Sequence, residues 1–390
     1  MSTSFESVKQ LKHWLACTFL AVPLCIAPAF AEEPKSAAIM PKANKSLLID
    51  VEKAGNNLVA VGERGHVLIS SDNGKTWTQS NVPMSQMING VSFPDNRHGW
   101  AVGHDGHILR TEDGGVTWTK QRDGLGAQAE ANVRKLRSVK TQINRLNAEL
   151  IDTSISPEKR REIQDALSEL DWDLESATER VNEPAVAQPL MDVWFENAKK
   201  GWVVGAFGQL LHTTDGGDTW EDLSGAIDNE MEFHLNSVTG IDGGTVVIAG
   251  EAGFVVVTPD DGKTWYSIDL GYEGTIFGVK ADHTGSTIVA TGLRGKTFIS
   301  KDKGLNWADI TPDVGFSLSG VEFVDDDSIL LVGHGGTISF SADAGNNFNT
   351  ETLPSRASIS NAVYTGNGEF ILVGQGGVHT YTLKPSSEEK

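Results

Sequence analysis

Six acidic side chains recur in one setting. SSDNGKTW (70–77), TEDGGVTW (111–118), TTDGGDTW (213–220), TPDDGKTW (258–265), SKDKGLNW (300–307) and SADAGNNF (341–348) share S/T-x-D-x-G-x-x-aromatic. A carboxylate beside hydroxyls and an aromatic ring could act as a general acid or base, as in glycoside hydrolysis. The same spacing also builds a turn. Asp accepts backbone N–H bonds, Gly three positions into the turn takes φ > 0, and the aromatic residue opens the next strand and packs beneath the hairpin. The turn is the stronger reading for Asp72, Asp113, Asp215, Asp260 and Asp302, and the core for Trp77, Trp118, Trp220, Trp265 and Trp307. His104 and His107 stand three apart, but Asp105-Gly106 between them reverses the chain, which argues against a shared metal ion. No H-E-x-x-H, C-x-x-C, Walker loop or G-x-S-x-G occurs, so no cofactor, metal or catalytic residue is expected.

A second element supplies the frame. VGERGHVLIS (61–70), VGHDGHILRT (102–111), VGAFGQLLHT (204–213), AGEAGFVVVT (249–258), TGLRGKTFIS (291–300), VGHGGTISFS (332–341) and VGQGGVHTYT (373–382) each place G-x-x-G before an alternating run. Their first glycines, Gly62, Gly103, Gly205, Gly250, Gly292, Gly333 and Gly374, are separated by 41, 102, 45, 42, 41 and 41 residues. Four short strands per repeat of about 40 residues describe propeller blades. The expected fold is all-β: a seven-bladed β-propeller. Its acidic turns resemble the Asp-box, or BNR repeat, of several propeller families. The last repeat stops after its third strand, so residues 37–40 are expected to supply the fourth and close the ring.

The single long spacing marks an insertion at 127–182. Leu136, Val139, Ile143, Leu146 and Leu150 form one heptad stripe; Ile163, Leu167, Leu170, Leu174, Ala177 and Val181 form another. Ser156-Pro157 offers an N-cap and N1 proline between them. An α-helical hairpin inserted between blades two and three follows, its stripes packed on each other. The expected layout is a signal peptide at 1–31, blades one and two with the closing strand at 32–126, the hairpin at 127–182, blades three to seven at 183–383, and a tail at 384–390.

Lys9, Lys12 and His13 precede an uncharged stretch from Trp14 to Phe30, and Ala29-Phe30-Ala31 is a cleavage site. Export to the periplasm or thylakoid lumen is expected, with no membrane insertion after cleavage. Val22-Pro23-Leu24 before Cys25 argues against a lipoprotein. The only cysteines, Cys17 and Cys25, leave with the signal, so the mature chain has no thiol to mispair. With 32 Lys+Arg against 52 Asp+Glu, the net charge of −20 disfavours nucleic acid as a partner.

In a propeller the turn between strands two and three shares a face with the inter-blade loops. Glu63, Arg64, His104, Asp105, Phe207, Glu251, Arg294, His334 and Gln375 are therefore expected on one rim, a candidate protein-binding surface. HGWAVGHDGHILRTEDGGVTW (98–118) and KGWVVGAFGQLLHTTDGGDTW (200–220) resemble the repeat of the photosystem II stability/assembly factor family. That resemblance implies a non-enzymatic propeller of the lumen or periplasm that binds membrane-protein intermediates. In bacteria without photosystems, an envelope transporter or similar complex takes the partner's place. The helical insertion and the acidic charge depart from the family pattern. A sialidase-like glycoside hydrolase or carbohydrate-binding propeller is the alternative. Few arginines outside the hairpin and only Tyr266, Tyr272, Tyr364 and Tyr381 stand against it.

Overall fold

The computed structural model describes residues 36–241 and 243–384. Cys17, Cys25, the expected cleavage site at 29–31 and the last six residues lie outside the described residues.

The strands form seven antiparallel sheets. Blade one holds β1–β4 (Leu48–Ala54, Asn57–Gly62, Val67–Ser70, Thr78–Gln79) and blade two β5–β8 (Ile88–Ser92, Gly99–Gly103, Ile108–Thr111, Thr119–Arg122). Blade three holds β9–β12 (Leu190–Phe195, Gly201–Gly205, Leu210–Thr213, Glu221–Asp222) and blade four β13–β16 (Leu235–Ile241, Thr245–Gly250, Val255–Thr258, Tyr266–Ser267). Blade five holds β17–β20 (Ile276–Ala281, Ile288–Gly292, Thr297–Ser300, Ala308–Asp309) and blade six β21–β24 (Leu318–Phe323, Ile329–Gly333, Thr337–Ser341, Asn349–Thr352). Blade seven has three strands, β25–β27 (Ile359–Gly366, Glu369–Gly374, Gly377–Thr382).

Second strands read as unbroken apolar runs because each is covered on both faces. Along β2, Val59 and Val61 enter the core shared with blade two, while Leu58 and Ala60 enter the core shared with blade seven. The period-2 alternation thus feeds two different inter-blade cores from one strand. The tryptophans of the two G-W pairs, Trp100 and Trp202, are fully buried here. Among the Asp-box tryptophans Trp118 is buried, and Trp77, Trp220, Trp265 and Trp307 are half-buried caps on these cores.

Two helices, α1 (Gly124–Ile151) and α2 (Pro157–Asn182), interrupt the connection from β8 to β9. The first starts at Gly124, three residues ahead of the expected insertion boundary at 127, because the Asp123 side chain accepts the Leu125 N–H as N-cap. Ser156 caps α2 through the Lys159 N–H, with Pro157 in its first turn. Val139, Ile163 and Ala177 are buried between the helices, so the stripes do pack on each other.

The closing strand is the expectation that fails. The Ala37 N–H donates to the Val82 carbonyl and the Met40 N–H to Gln79 Oε1, so this segment lies along blade one rather than beside β27. The short turn Ala43–Lys45 then leads directly into β1. Blades seven and one are joined instead by side chains. Met40, Ala43, Leu48, Val51, Leu58 and Ala60 pack with Val363, Ile371, Val373 and Val378, and Asn361 Nδ2 donates to Asp50 Oδ1 at 2.5 Å.

The last repeat departs in a second way. In blades one to six the residue before the first glycine pairs with the second residue after the last, as in Val61↔Val67 and Val332↔Ile338. In blade seven Val373 pairs with Val378, one residue sooner, because Gly374 pairs with Gly377 across a tight turn. A one-residue slip exchanges the faces of every later side chain.

Candidate functional site: the rim and the central channel

The rim is built by one repeated bond. The residue after each first glycine donates its N–H to the carbonyl just ahead of the inner strand. The pairs are Glu63→Leu47, His104→Met87, Ala206→Pro189, Glu251→His234, Leu293→Thr275, His334→Ser317 and Gln375→Ser358. The approach is close enough that a Cβ at Gly103 would meet the Met87 carbonyl oxygen, which explains the glycine. All seven turns therefore share the face of the inter-blade loops, and the nine rim residues fall on it together. The hairpin rises from this face too, with α1 against the His104–Gly106 turn.

The residue after each of these donors has positive φ in all seven turns, Gly376 at 82° in the last. Arg64, Asp105, Phe207, Ala252 and Arg294 have φ between 53° and 58°, with Gly335 at 66°. This projects Arg64, Phe207 and Arg294 into solvent. Phe207 is 52% exposed and rests edge-on against His234 at 4.7 Å between ring centres. Glu63 and Glu251 are less free: Oε1 of Glu63 accepts the Leu47 N–H and Oε2 of Glu251 the His234 N–H, so both brace their own loops. His104 is exposed, whereas His107 is buried and points inward, toward Asp123 at 3.6 Å. Among the described residues no cluster of metal-ligating side chains forms.

Other rim residues come from the inter-blade loops and were not singled out by the G-x-x-G motif. Phe316, 53% exposed, lies over Gly335, and Arg356 is exposed at φ 53°. Tyr272 donates its hydroxyl to the Leu293 carbonyl. Charge is divided around the ring. Exposed Arg294, Arg356 and Arg64 are spread from blade five round to blade one, with exposed Asp313 in the loop after blade five. Exposed Asp228, Glu230, Glu232 and Glu273 lie in the loops flanking blade four.

The rim opens on a central channel of about 550 Å³ lined by the inner strands, with His334 among its walls. Side chains here stitch each blade to the next. Asp50 Oδ2 accepts the Val91 N–H, Ser92 Oγ the Phe195 N–H, Asp192 Oδ2 the Val238 N–H, Ser237 Oγ the Val279 N–H and Glu322 Oε1 the Tyr364 N–H. Lys280 Nζ lies 2.6 Å from Glu322 and 3.5 Å from Glu52, joining blades five, six and one. Burial raises the Asp50 and Glu52 carboxyls above their ordinary range; for Glu52 the Lys280 ammonium opposes it. Burial pushes the Asp192 carboxyl up to about 7, with the Asp50 charge adding to the effect.

That shift has a measurable sign. Folded Asp192 keeps its proton to about pH 7, whereas the unfolded chain loses it near pH 4. Between those values the folded state binds more protons, so stability from this group falls as pH rises and levels off above 7. The slope is at most about 1.4 kcal/mol per pH unit. Asp192→Asn copies what blade seven carries natively at Asn361 and should remove that slope. Denaturant midpoints of both proteins at pH 5–8 test this; parallel profiles would refute it.

The boxed carboxylates are turn formers. Asp72 accepts the Thr76 hydroxyl and N–H, which hold its carboxyl down at about 2, and Asp215 does the same with Thr219. A group that acidic has no proton to give at neutral pH.

These features define a seven-bladed Asp-box propeller that presents a loop-built rim around a polar channel. The match of the family model described as "Photosynthesis system II assembly factor YCF48" covers residues 69–145 and 174–315, and the chain belongs to that family. That description is of an assembly factor. The chain is 28% identical over 104 residues to the photosystem II assembly lipoprotein Ycf48 of Synechococcus sp. (strain CC9902), covering 27% of this chain and 30% of that protein. It is 28% identical over 124 residues to the chloroplastic photosystem II stability/assembly factor HCF136 of Arabidopsis thaliana, covering 30% of each. The matched stretch thus spans under a third of these relatives. A solved structure titled "YCF48 bound to D1 peptide" superposes with TM-score 0.59 at 14% identity, covering 91% of this chain and 98% of that one. At that identity the likeness shows the fold.

Proposed function

We propose that this chain is a non-enzymatic assembly or stability factor that holds a segment of a membrane-protein complex on its rim. It does so in the periplasm or thylakoid lumen, after losing residues 1–31. The observation that carries this is Phe207. A phenylalanine in the left-handed region costs about 1 kcal/mol or more, yet this one gives half its surface to water. Strain kept at an exposed aromatic suits a contact made with a partner. The arginines on the opposite side of the ring supply charge-assisted bonds to a carboxylate-bearing segment. The D1 peptide bound to the solved YCF48 supports a photosystem partner over an envelope transporter.

A labelled D1 peptide titrated by fluorescence anisotropy tests the proposal. The Arg64→Ala/Arg294→Ala double variant should bind several-fold more weakly while its stability changes by under about 0.5 kcal/mol per site. Phe207→Gly relieves the strained φ and should bind less without losing stability. Equal binding by all three proteins would refute the rim. Deleting 127–182 with a short Gly-Ser bridge is the control, since both ends meet in one inter-blade loop. Binding lost there but kept in the arginine variant would move the site to the hairpin. Failure of the peptide to bind any form would remove the photosystem partner.

A further inference from the structure

We infer that the outer edge of β27 is a second docking seat, taking an extended acidic segment of a partner polypeptide as the fourth strand of blade seven. Six blades end in a fourth strand of two to four residues. Among the described residues, β27 pairs with β26 alone. Its Gly377 end lies against Asn44 and Lys45; from Val378 to Thr382 the other edge makes no ladder with any described residue, and a bare edge selects an added strand over any other shape.

The seat has walls. A depression of about 500 Å³ runs against Val378, His379 and Thr380, bounded by Trp77 and Lys75 of the blade-one turn, by Pro354, and by Lys45. Trp77 is pinned there by its Nε1–H bond to the Gly74 carbonyl. The exposed side chains of β27 are threonines, Thr380 and Thr382, which suit a strand partner.

Charge names the occupant. In a chain of net charge −20, Lys45 and Lys75 gather at this seat. Lys384 nearby is held by Glu351 at 2.9 Å. An acidic extended segment meets those cations favourably. A second copy would set the same lysines against each other.

The experiment uses the full chain and a fluorescein-labelled ten-residue peptide alternating threonine and glutamate. Two controls carry the same label: one is N-methylated at every second residue, the other has lysine for glutamate. The expected result is saturable binding of the first peptide, with at least tenfold weaker binding of both controls. The Lys45→Glu/Lys75→Glu double variant should weaken it at least fivefold, and the Arg64→Ala/Arg294→Ala variant should leave it unchanged. Circular dichroism and unfolding midpoints establish that the variants fold. Equal binding of the N-methylated peptide would reduce the site to loose charge attraction and overturn the proposal. So would a seat that binds nothing in the full chain but opens when the residues outside 36–384 are removed, because the chain's own ends would then fill it. Light scattering that finds a dimer sensitive to the lysine changes would assign the edge to a second copy instead.

Discussion

Trp100→Ala is expected to lower the unfolding free energy by about 3–5 kcal/mol. The indole is fully buried between blades two and three and stacks on Phe195 with ring centres 3.6 Å apart. Its Nε1–H lies 3.1 Å from both Gln121 Oε1 and the Gly216 carbonyl, so truncation opens a cavity and leaves those acceptors one donor short. Trp220→Ala is the internal comparison. That ring stands edge-on to the same Phe195 but is half-buried, and its alanine variant should cost clearly less. Urea titrations of both variants check the order. A smaller loss at Trp100 than at Trp220 would mean that the Asp-box tryptophans, not those of the second strands, anchor the inter-blade cores.

Lys280→Met should be the most costly change in the channel. It removes the one ammonium between Glu52 and Glu322 and leaves two carboxylates facing each other. Removing one member of a buried ion pair costs about 3–5 kcal/mol; Lys280 and Glu52 are only partly buried, so about 3 kcal/mol is expected. Burial opposes the charge on Lys280, but the Glu322 and Glu52 carboxylates outweigh it and raise the ammonium's affinity for its proton. The triple change Lys280→Met/Glu52→Gln/Glu322→Gln removes all three charges together and should recover most of the loss. Chemical denaturation at pH 7 distinguishes the two. If Lys280→Met costs under about 1 kcal/mol, channel water already screens the pair and the link across the axis is weak.

The fold was legible where the chain repeats a local rule. Gly103 and its six equivalents recur because the same carbonyl crowds each of them, and Asp72 and its equivalents because the same hydroxyl and amide need an acceptor. The heptad stripes of 136–150 and 163–181 gave the hairpin for a similar reason, since each helix face is read within one element. What escaped depends on the ring being closed. Asp50 and Asp192 share one inner-strand position, and Glu52, Lys280 and Glu322 another, but the residue type there changes from blade to blade, so no motif marks them; Glu52 and Lys280 lie 228 residues apart. Nor does the motif VGQGGVHTYT differ visibly from its six relatives, although Gly374↔Gly377 pairing shifts its register. The closing strand failed because composition alone cannot say where a terminal segment finds its hydrogen-bond partners. Ala37 and Met40 found theirs on blade one.

The joint between blades seven and one has a mechanical consequence. In a ring latched by a shared strand, opening means shearing a ladder of backbone hydrogen bonds loaded together. Among the described residues the latch is a greasy gasket, the Asn361–Asp50 bond and Lys53 over the Tyr364 ring, so a load across the joint peels contacts in sequence. Pulled in an optical trap through cysteines placed on blades six and one, the ring should part at this joint first and at low force. The remaining blades should then yield at higher force, one after another.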